Sequence, residues 1–413
     1  MRGLDLRGRI CFIIVCVGLL LSACQDVNEP EAKNYSYIVS HTSKAKVSLE
    51  EIKFKISWAK SVYPDIGPFS ALVKSDIDVE KITYNTTFLG QKIQASGLVY
   101  LPKVAGNYPV LCFQNGTNTL YSQAPSMNSE SGVLSILESV ASMGYIVVVP
   151  DYIGFGESQQ LPHPFLHASS TVKSILDMLR AVRELTTEEN SAAKSTKDLF
   201  IFGYSLGGWA TMLLQKEIET NFSGEFNLKA SACAAGPYSL EYMNQYITGL
   251  TNYPNPYFLA YLLNAYTAIG IVDNPLSDFI NQPYASLIPG LYDGKHSGAS
   301  INASLTTRID TLLTSDYRTR CISDPKFASF NQALIDNSVK VSDWKISTPT
   351  SLFHGSADSV VPASMSEKIM QDMLAAGNSE EKVKLIIIPN VGHSDGIMPV
   401  GISTIQWFLE MNK

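Results

Sequence analysis

Ser205 stands between Gly203 and Gly207 in LFIFGYSLGGWATMLLQ (residues 199–215), after an apolar run and before a helical one. Three such fixed positions occur by chance in roughly one 400-residue chain in seven. The plain alternative is a glycine-rich turn, so context has to decide. A serine at the end of a buried strand and the start of a helix occupies a sharp turn. The close approach of strand and helix needs small residues two before and two after it, and Gly208 lets the helix pack closer still. Such a serine sits in a strained backbone, costing about 1–3 kcal/mol, which structures seldom keep without a functional reason. The helix N-terminus behind it offers free N–H groups and partial positive charge to a developing oxyanion.

An alcohol is a weak nucleophile near neutral pH; it needs a base, and the base an orienting acid. Both are expected later in the chain, acid before base, on loops that follow the last strands. Asp358 follows SLFHGSA and His393 follows LIIIPNVG, each just past a strand-like run. Of the chain's 6 histidines, His393 is the one beyond the last strand. His354 comes too early for the base and is expected to be structural. His163 and His167, in LPHPFLHASS, are expected to cap or pack the helix that follows. Glu241 is the alternative acid. The loop after PVLCF reads Gln114, Asn115, Gly116, Thr117. An oxyanion hole is expected from the Leu206 N–H and one N–H of Gly116 or Thr117, with a plain turn as the alternative.

These residues need a scaffold that brings them together. VEKITYNTTFLGQKIQASGLVYLP gives two alternating runs about Leu89-Gly90, which predicts a hairpin. Strand-like and helix-like segments then take turns through residue 238. The runs are near-continuously apolar, as in strands buried on both faces of a parallel sheet. We therefore expect a doubly wound α/β sheet with an antiparallel edge, core residues 51–238 and 346–413. The alternation stops over residues 239–345, too long for a structureless loop. Ten of the chain's 20 tyrosines fall between Tyr238 and Tyr317, several three or four apart. This stretch is expected to be a helical cap, its tyrosines mostly fixing the cap to the core and a few facing substrate.

Arg2, Arg7 and Arg9 precede an apolar run too short to span a bilayer and of the right length for a signal segment, residues 1–23. It ends in LSAC, which resembles a lipobox, so Cys24 is expected to carry a lipid anchor followed by a polar tether over 24–50. The alternative is an ordinary cleaved signal with an incidental cysteine. The expected location is a bacterial envelope membrane. A formal net charge of −7 argues against nucleic acid as a partner. No cysteine or histidine spacing suggests a metal, and no cofactor is expected. Cys112 and Cys233 sit in apolar runs and read as buried thiols.

The segments VVPDYIGFGES, HPFLHASSTVKSILDMLRAVREL, IFGYSLGG and SACAAGPY, with the later HGSAD and VGH, resemble the α/β-hydrolase superfamily and, within it, the secretory lipase family. The likeness covers roughly residues 80–240 and 345–410 and weakens across the cap. It implies a Ser205–His393–Asp358 triad acting on a small-molecule ester. Two positions depart from the pattern: many relatives have Gln where this chain has Leu206, and many α/β hydrolases have His at Asn115. The leading expectation is a lipase-like serine esterase working on apolar acyl esters. An esterase acting on acetyl or feruloyl groups of glycans is the alternative. A prolyl-oligopeptidase-type peptidase is disfavoured, because about 80 residues are too few for the propeller such enzymes carry. A non-catalytic binding lipoprotein is the remaining contrast.

Overall fold

The computed structural model describes residues 36–129 and 132–413. The expected signal segment and Cys24 lie outside them. Among the described residues nine strands form one sheet: β1 (Ile38–Val47), β2 (Ile77–Phe88), β3 (Gln91–Pro102), β4 (Gly106–Gln114), β5 (Ile146–Pro150), β6 (Ala193–Tyr204), β7 (Asn227–Ala234), β8 (Thr350–Gly355) and β9 (Val383–Ile388). Their order is β1-β2-β3-β5-β4-β6-β7-β8-β9. The first three strands and the β3–β5 pair are antiparallel, and every later pairing is parallel. The hairpin turns at Leu89 and Gly90, both with positive φ.

Parallel neighbours require crossovers, and helices supply them. Ala168–Thr187, Leu206–Asn221 and Ala363–Ala375 cover one face, and Leu49–Ala59, Gly132–Ser142 and Ile397–Met411 the other. Along β6 the side chains alternate between two cores. Leu199 and Ile201 enter one, Phe200 and Phe202 the other, and all four are buried. Burial on both faces is why the run carries no polar alternation. This is the α/β-hydrolase fold expected from the sequence.

Two expectations at the sheet's edges are corrected. The tether expected through residue 50 ends earlier, since Ile38–Val47 is a strand and a helix starts at Leu49, capped by the Ser48 side chain. Only Ile38 and Val47 of this edge strand are buried, so it shows no hydrophobic period. Backbone pairing to β2 holds it, together with the Glu184 carboxylate, which accepts from the N–H groups of Ser36, Tyr37 and Ile38 at 3.1, 3.0 and 2.8 Å. At the other end, the apolar run of β9 is not buried on both faces. As the last strand it leaves Ile386 and Ile387 exposed, at 41% and 36%.

Between β7 and β8 the chain is helical, from Leu240–Gly249 and Pro256–Ala268 through several shorter helices to Ala328–Asn337. Phe279, Tyr317 and Phe330 form an aromatic centre, with ring centroids 5.0 and 4.9 Å from Phe279. Side-chain bonds help to fasten this segment to the sheet side. Trp209 Nε1–H donates to Asn337 O at 2.9 Å, Tyr266 O–H to Leu166 O at 3.0 Å, and Tyr253 O–H to Val360 O at 3.1 Å. Cys112 and Cys233 are buried and unbridged, and burial pushes both thiols up, that of Cys233 to about 12.

Candidate active site

Tyr204 ends β6 and Leu206 begins the next helix, so Ser205 alone makes the turn. It adopts φ 59° and ψ −121°, in the left-handed half of the map. Its N–H donates to Ala234 O at 2.8 Å, and its own carbonyl accepts from the Gly208 and Trp209 N–H groups at 2.9 and 3.2 Å. The surroundings therefore over-determine a conformation that would otherwise relax. The glycines let the helix come this close. A Cβ on Gly203 would lie 2.1 Å from Gly207 O, and one on Gly207 would lie 1.9 Å from Gln114 O. Both obstacles are backbone. Gly207→Ala should lower unfolding free energy by about 3 kcal/mol or more. The exposed Gly224, where a Cβ meets nothing within 4 Å, should tolerate alanine within about 0.5 kcal/mol. Urea unfolding of both variants checks the pair.

β8 and β9 are adjacent and parallel, so the loops after them leave the same sheet edge as Ser205. Asp358 and His393 ride on those loops. His393 Nε2 lies 2.9 Å from Ser205 Oγ, and its Nδ1 lies 2.6 Å from Asp358 Oδ2. Asp358 Oδ1 accepts from the Val360 and Val361 N–H groups at 2.8 and 2.9 Å. Burial opposes ionisation of this carboxyl, but hydrogen bonds from His354 and His393, and the Val361 N–H, outweigh it. The group is held well below the usual carboxylate range. The imidazole, fixed from one side by an anion, presents its other nitrogen to the hydroxyl.

The structure brings Ser205, His393 and Asp358 together and leaves the other candidates elsewhere. Glu241 accepts from the hydroxyls of Ser338 and Ser239. His163 puts Nδ1 2.6 Å from Ile153 O amid Phe155, Phe165 and Tyr261, so it packs against rings rather than capping the helix; burial pushes its pKa down to about 4. His167 occupies the N-cap position of Ala168–Thr187, its Nδ1 2.7 Å from Ser170 Oγ. His354 is fully buried in β8, with Nδ1 2.7 Å from Ser366 Oγ and Nε2 2.8 Å from Val361 O and 3.3 Å from Asp358 Oδ2. It braces the carboxylate, a role the sequence did not reveal. Tyr204 braces the His393 loop instead, its O–H donating to His393 O at 2.7 Å. Its place beside Ser205 was the available signal.

Leu206, as first residue of its helix, has no intrahelical acceptor for its N–H. Thr117 lines both cavities that meet at Ser205, with Leu206 in one and Gly116 in the other. A Cβ on Gly116 would meet only Tyr204 O at 3.8 Å, so the fold itself does not demand glycine there. The two cavities, about 60 and 330 Å³, differ in character: the smaller is almost wholly apolar, and the larger includes His393 and several amides.

Comparison with known proteins agrees with this fold. A Legionella pneumophila protein described as a hydrolase superposes with TM-score 0.80 at 23% identity, covering 91% of this chain and 98% of its own. The rice cell wall degrading esterase LipA of Xanthomonas oryzae, in a ligand-bound form, gives 0.75 at 26% identity, covering 89% and 96%. Candida antarctica lipase A in its closed state gives 0.63 at 15% identity, covering 90% and 81%. No curated protein sequence gives a match. The family model described as serine aminopeptidase, S33 (Hydrolase_4) matches residues 127–394, well over half the chain, a range that takes in the turn at Ser205 and the loops of Asp358 and His393. The chain is an α/β hydrolase and belongs to that serine aminopeptidase S33 family.

Proposed function

We propose that this hydrolase is a serine carboxylic-ester hydrolase in which Ser205 is the nucleophile, His393 the general base and acid, and Asp358 the orienting carboxylate. The observation that carries this is the unbroken relay from hydroxyl to imidazole to carboxylate at 2.9 and 2.6 Å. Ser205 Oγ attacks the ester carbonyl while His393 Nε2 takes its proton. The tetrahedral oxyanion is met by the Leu206 N–H and an N–H of Gly116 or Thr117. His393 then protonates the departing alcohol, and water, activated by the same imidazole, releases the acid and restores Ser205.

The family's name raises a peptidase reading, and one observation weighs against it here. An aminopeptidase must hold its substrate's ammonium group, and a buried cation needs an anionic partner. Among the described residues lining the two cavities at Ser205, none is Asp or Glu. The esterase and lipase likenesses support the ester reading, as do the motifs shared with secretory lipases, a closer kinship we include in the proposal. We also propose that Cys24 carries a lipid anchor at a bacterial envelope membrane. Among the described residues no helix is long and apolar enough to cross one.

The test is to offer the full chain p-nitrophenyl butyrate and alanine p-nitroanilide side by side, with and without an active-site fluorophosphonate. Ester turnover, abolished by a label on Ser205, is the expected result. Anilide turnover with inert esters would overturn the proposal.

A further inference from the structure

Ser205 sits where two cavities of different size and lining meet, and the chemistry assigns a different half of the ester to each. The alcohol has to leave as His393 hands it a proton, so its oxygen must depart within reach of His393 Nε2. His393 lines the larger cavity and not the smaller. The alcohol therefore belongs in the larger cavity, and the acyl chain, on the other side of the carbonyl carbon, in the smaller one.

The smaller cavity is walled by Met243 and Ile247 of one cap helix, Leu259 and Leu262 of the next, and Phe165 and Leu240. The amide of Asn244 also borders it but is engaged by the Tyr317 hydroxyl. Its volume is about 60 Å³. Against about 330 Å³ for the larger cavity, it holds only a short acyl tail. Longer chains meet Ile247, Leu259 and Leu262, which are at most 7% exposed. Overfilling a packed apolar wall is costly.

The larger cavity, about 330 Å³, presents Asn118, Gln123, Asn255, Tyr257 and Ser394 around the His393 ring. Among its described lining residues none is Asp, Glu, Lys or Arg. Uncharged amides and hydroxyls set among apolar walls such as Phe113, Leu134 and Ile397 suit a bulky neutral alcohol that carries hydroxyl groups, not a charged leaving group. Resting on the serine-esterase reading, we infer that the natural substrate is a short-chain acyl ester of a bulky, neutral, hydroxyl-bearing alcohol, with Ile247 and Leu262 setting the acyl limit.

The experiment is a kcat/KM profile of the full chain over p-nitrophenyl esters from acetate to laurate, beside acetylated methyl glucoside and tributyrin. Values should fall at least tenfold between hexanoate and decanoate. Leu262→Ala should raise the octanoate-to-butyrate ratio about tenfold, and Leu262→Phe, which fills the same space, should lower it. Gln123→Ala with Asn255→Ala should lower the acetylated-glucoside-to-p-nitrophenyl-acetate ratio by about tenfold. Laurate turned over as well as butyrate, or a profile that both Leu262 variants leave in place, would overturn the assignment of the cavities. These failures are separable from failure of the underlying chemistry. If a fluorophosphonate labels Ser205 while the chain-length profile is flat, only the substrate class is wrong. If Ser205 takes no label and esters are inert, the esterase reading itself has failed.

Discussion

Ser205→Ala is expected to lower kcat on p-nitrophenyl butyrate by about 10⁶-fold while leaving the fold in place. The magnitude follows from a nucleophile and base that act as one unit, so that removing either forfeits nearly the whole covalent route. The fold should survive because the turn is held by backbone groups, through the bond to Ala234 O and the two N–H groups that meet the Ser205 carbonyl. Circular dichroism melting should shift by only a few degrees. A residual rate within tenfold of the wild type would mean that some other group attacks the ester.

Asp358→Asn should cost about 10⁴-fold in kcat, although the replacement is nearly isosteric. The surroundings dictate how the amide must sit. Asp358 Oδ1 accepts from two backbone N–H groups, so the asparagine oxygen has to stay there. Its NH₂ then occupies the Oδ2 position, 2.6 Å from His393 Nδ1. A donor at that point drives the ring proton onto Nε2, the nitrogen that must accept from Ser205. The carboxylate also has a stability signature. Its folded pKa is depressed, so it contributes stability that is present above the unfolded carboxylate value and is lost as pH falls through the folded one. The variant should therefore lose less stability than the wild type on acidification below about pH 4. An unchanged kcat, or an acid limb of stability identical to the wild type, would remove Asp358 from this role.

The order and spacing of Ser205, Asp358 and His393 were readable because each follows an apolar strand by a few residues, and parallel strands deliver their following loops to one edge. The two cores were readable for a similar reason, since burial on both faces leaves unbroken runs such as β5. What escaped notice lacks a period. β1 is polar over most of its length and exists through backbone pairing and one distant glutamate. β9 has the composition of a central strand and the position of an edge one, a distinction that belongs to topology rather than to its own residues. The cap's short helices, some of only 4 residues, are shaped by what they pack on. The bracing by His354 and Tyr204 joins groups that proximity, not pattern, selects.

The Tyr253 hydroxyl reaches from the cap to the carbonyl of Val360, whose own N–H is held by Asp358. The segment that walls the cavities beside Ser205 is thus stitched to the loop that carries Asp358. Engineers who transplant this segment between homologous scaffolds would need to supply a donor for that carbonyl. Chimeras that omit it should show selectivity and turnover changing together, so the insert does not behave as an interchangeable module.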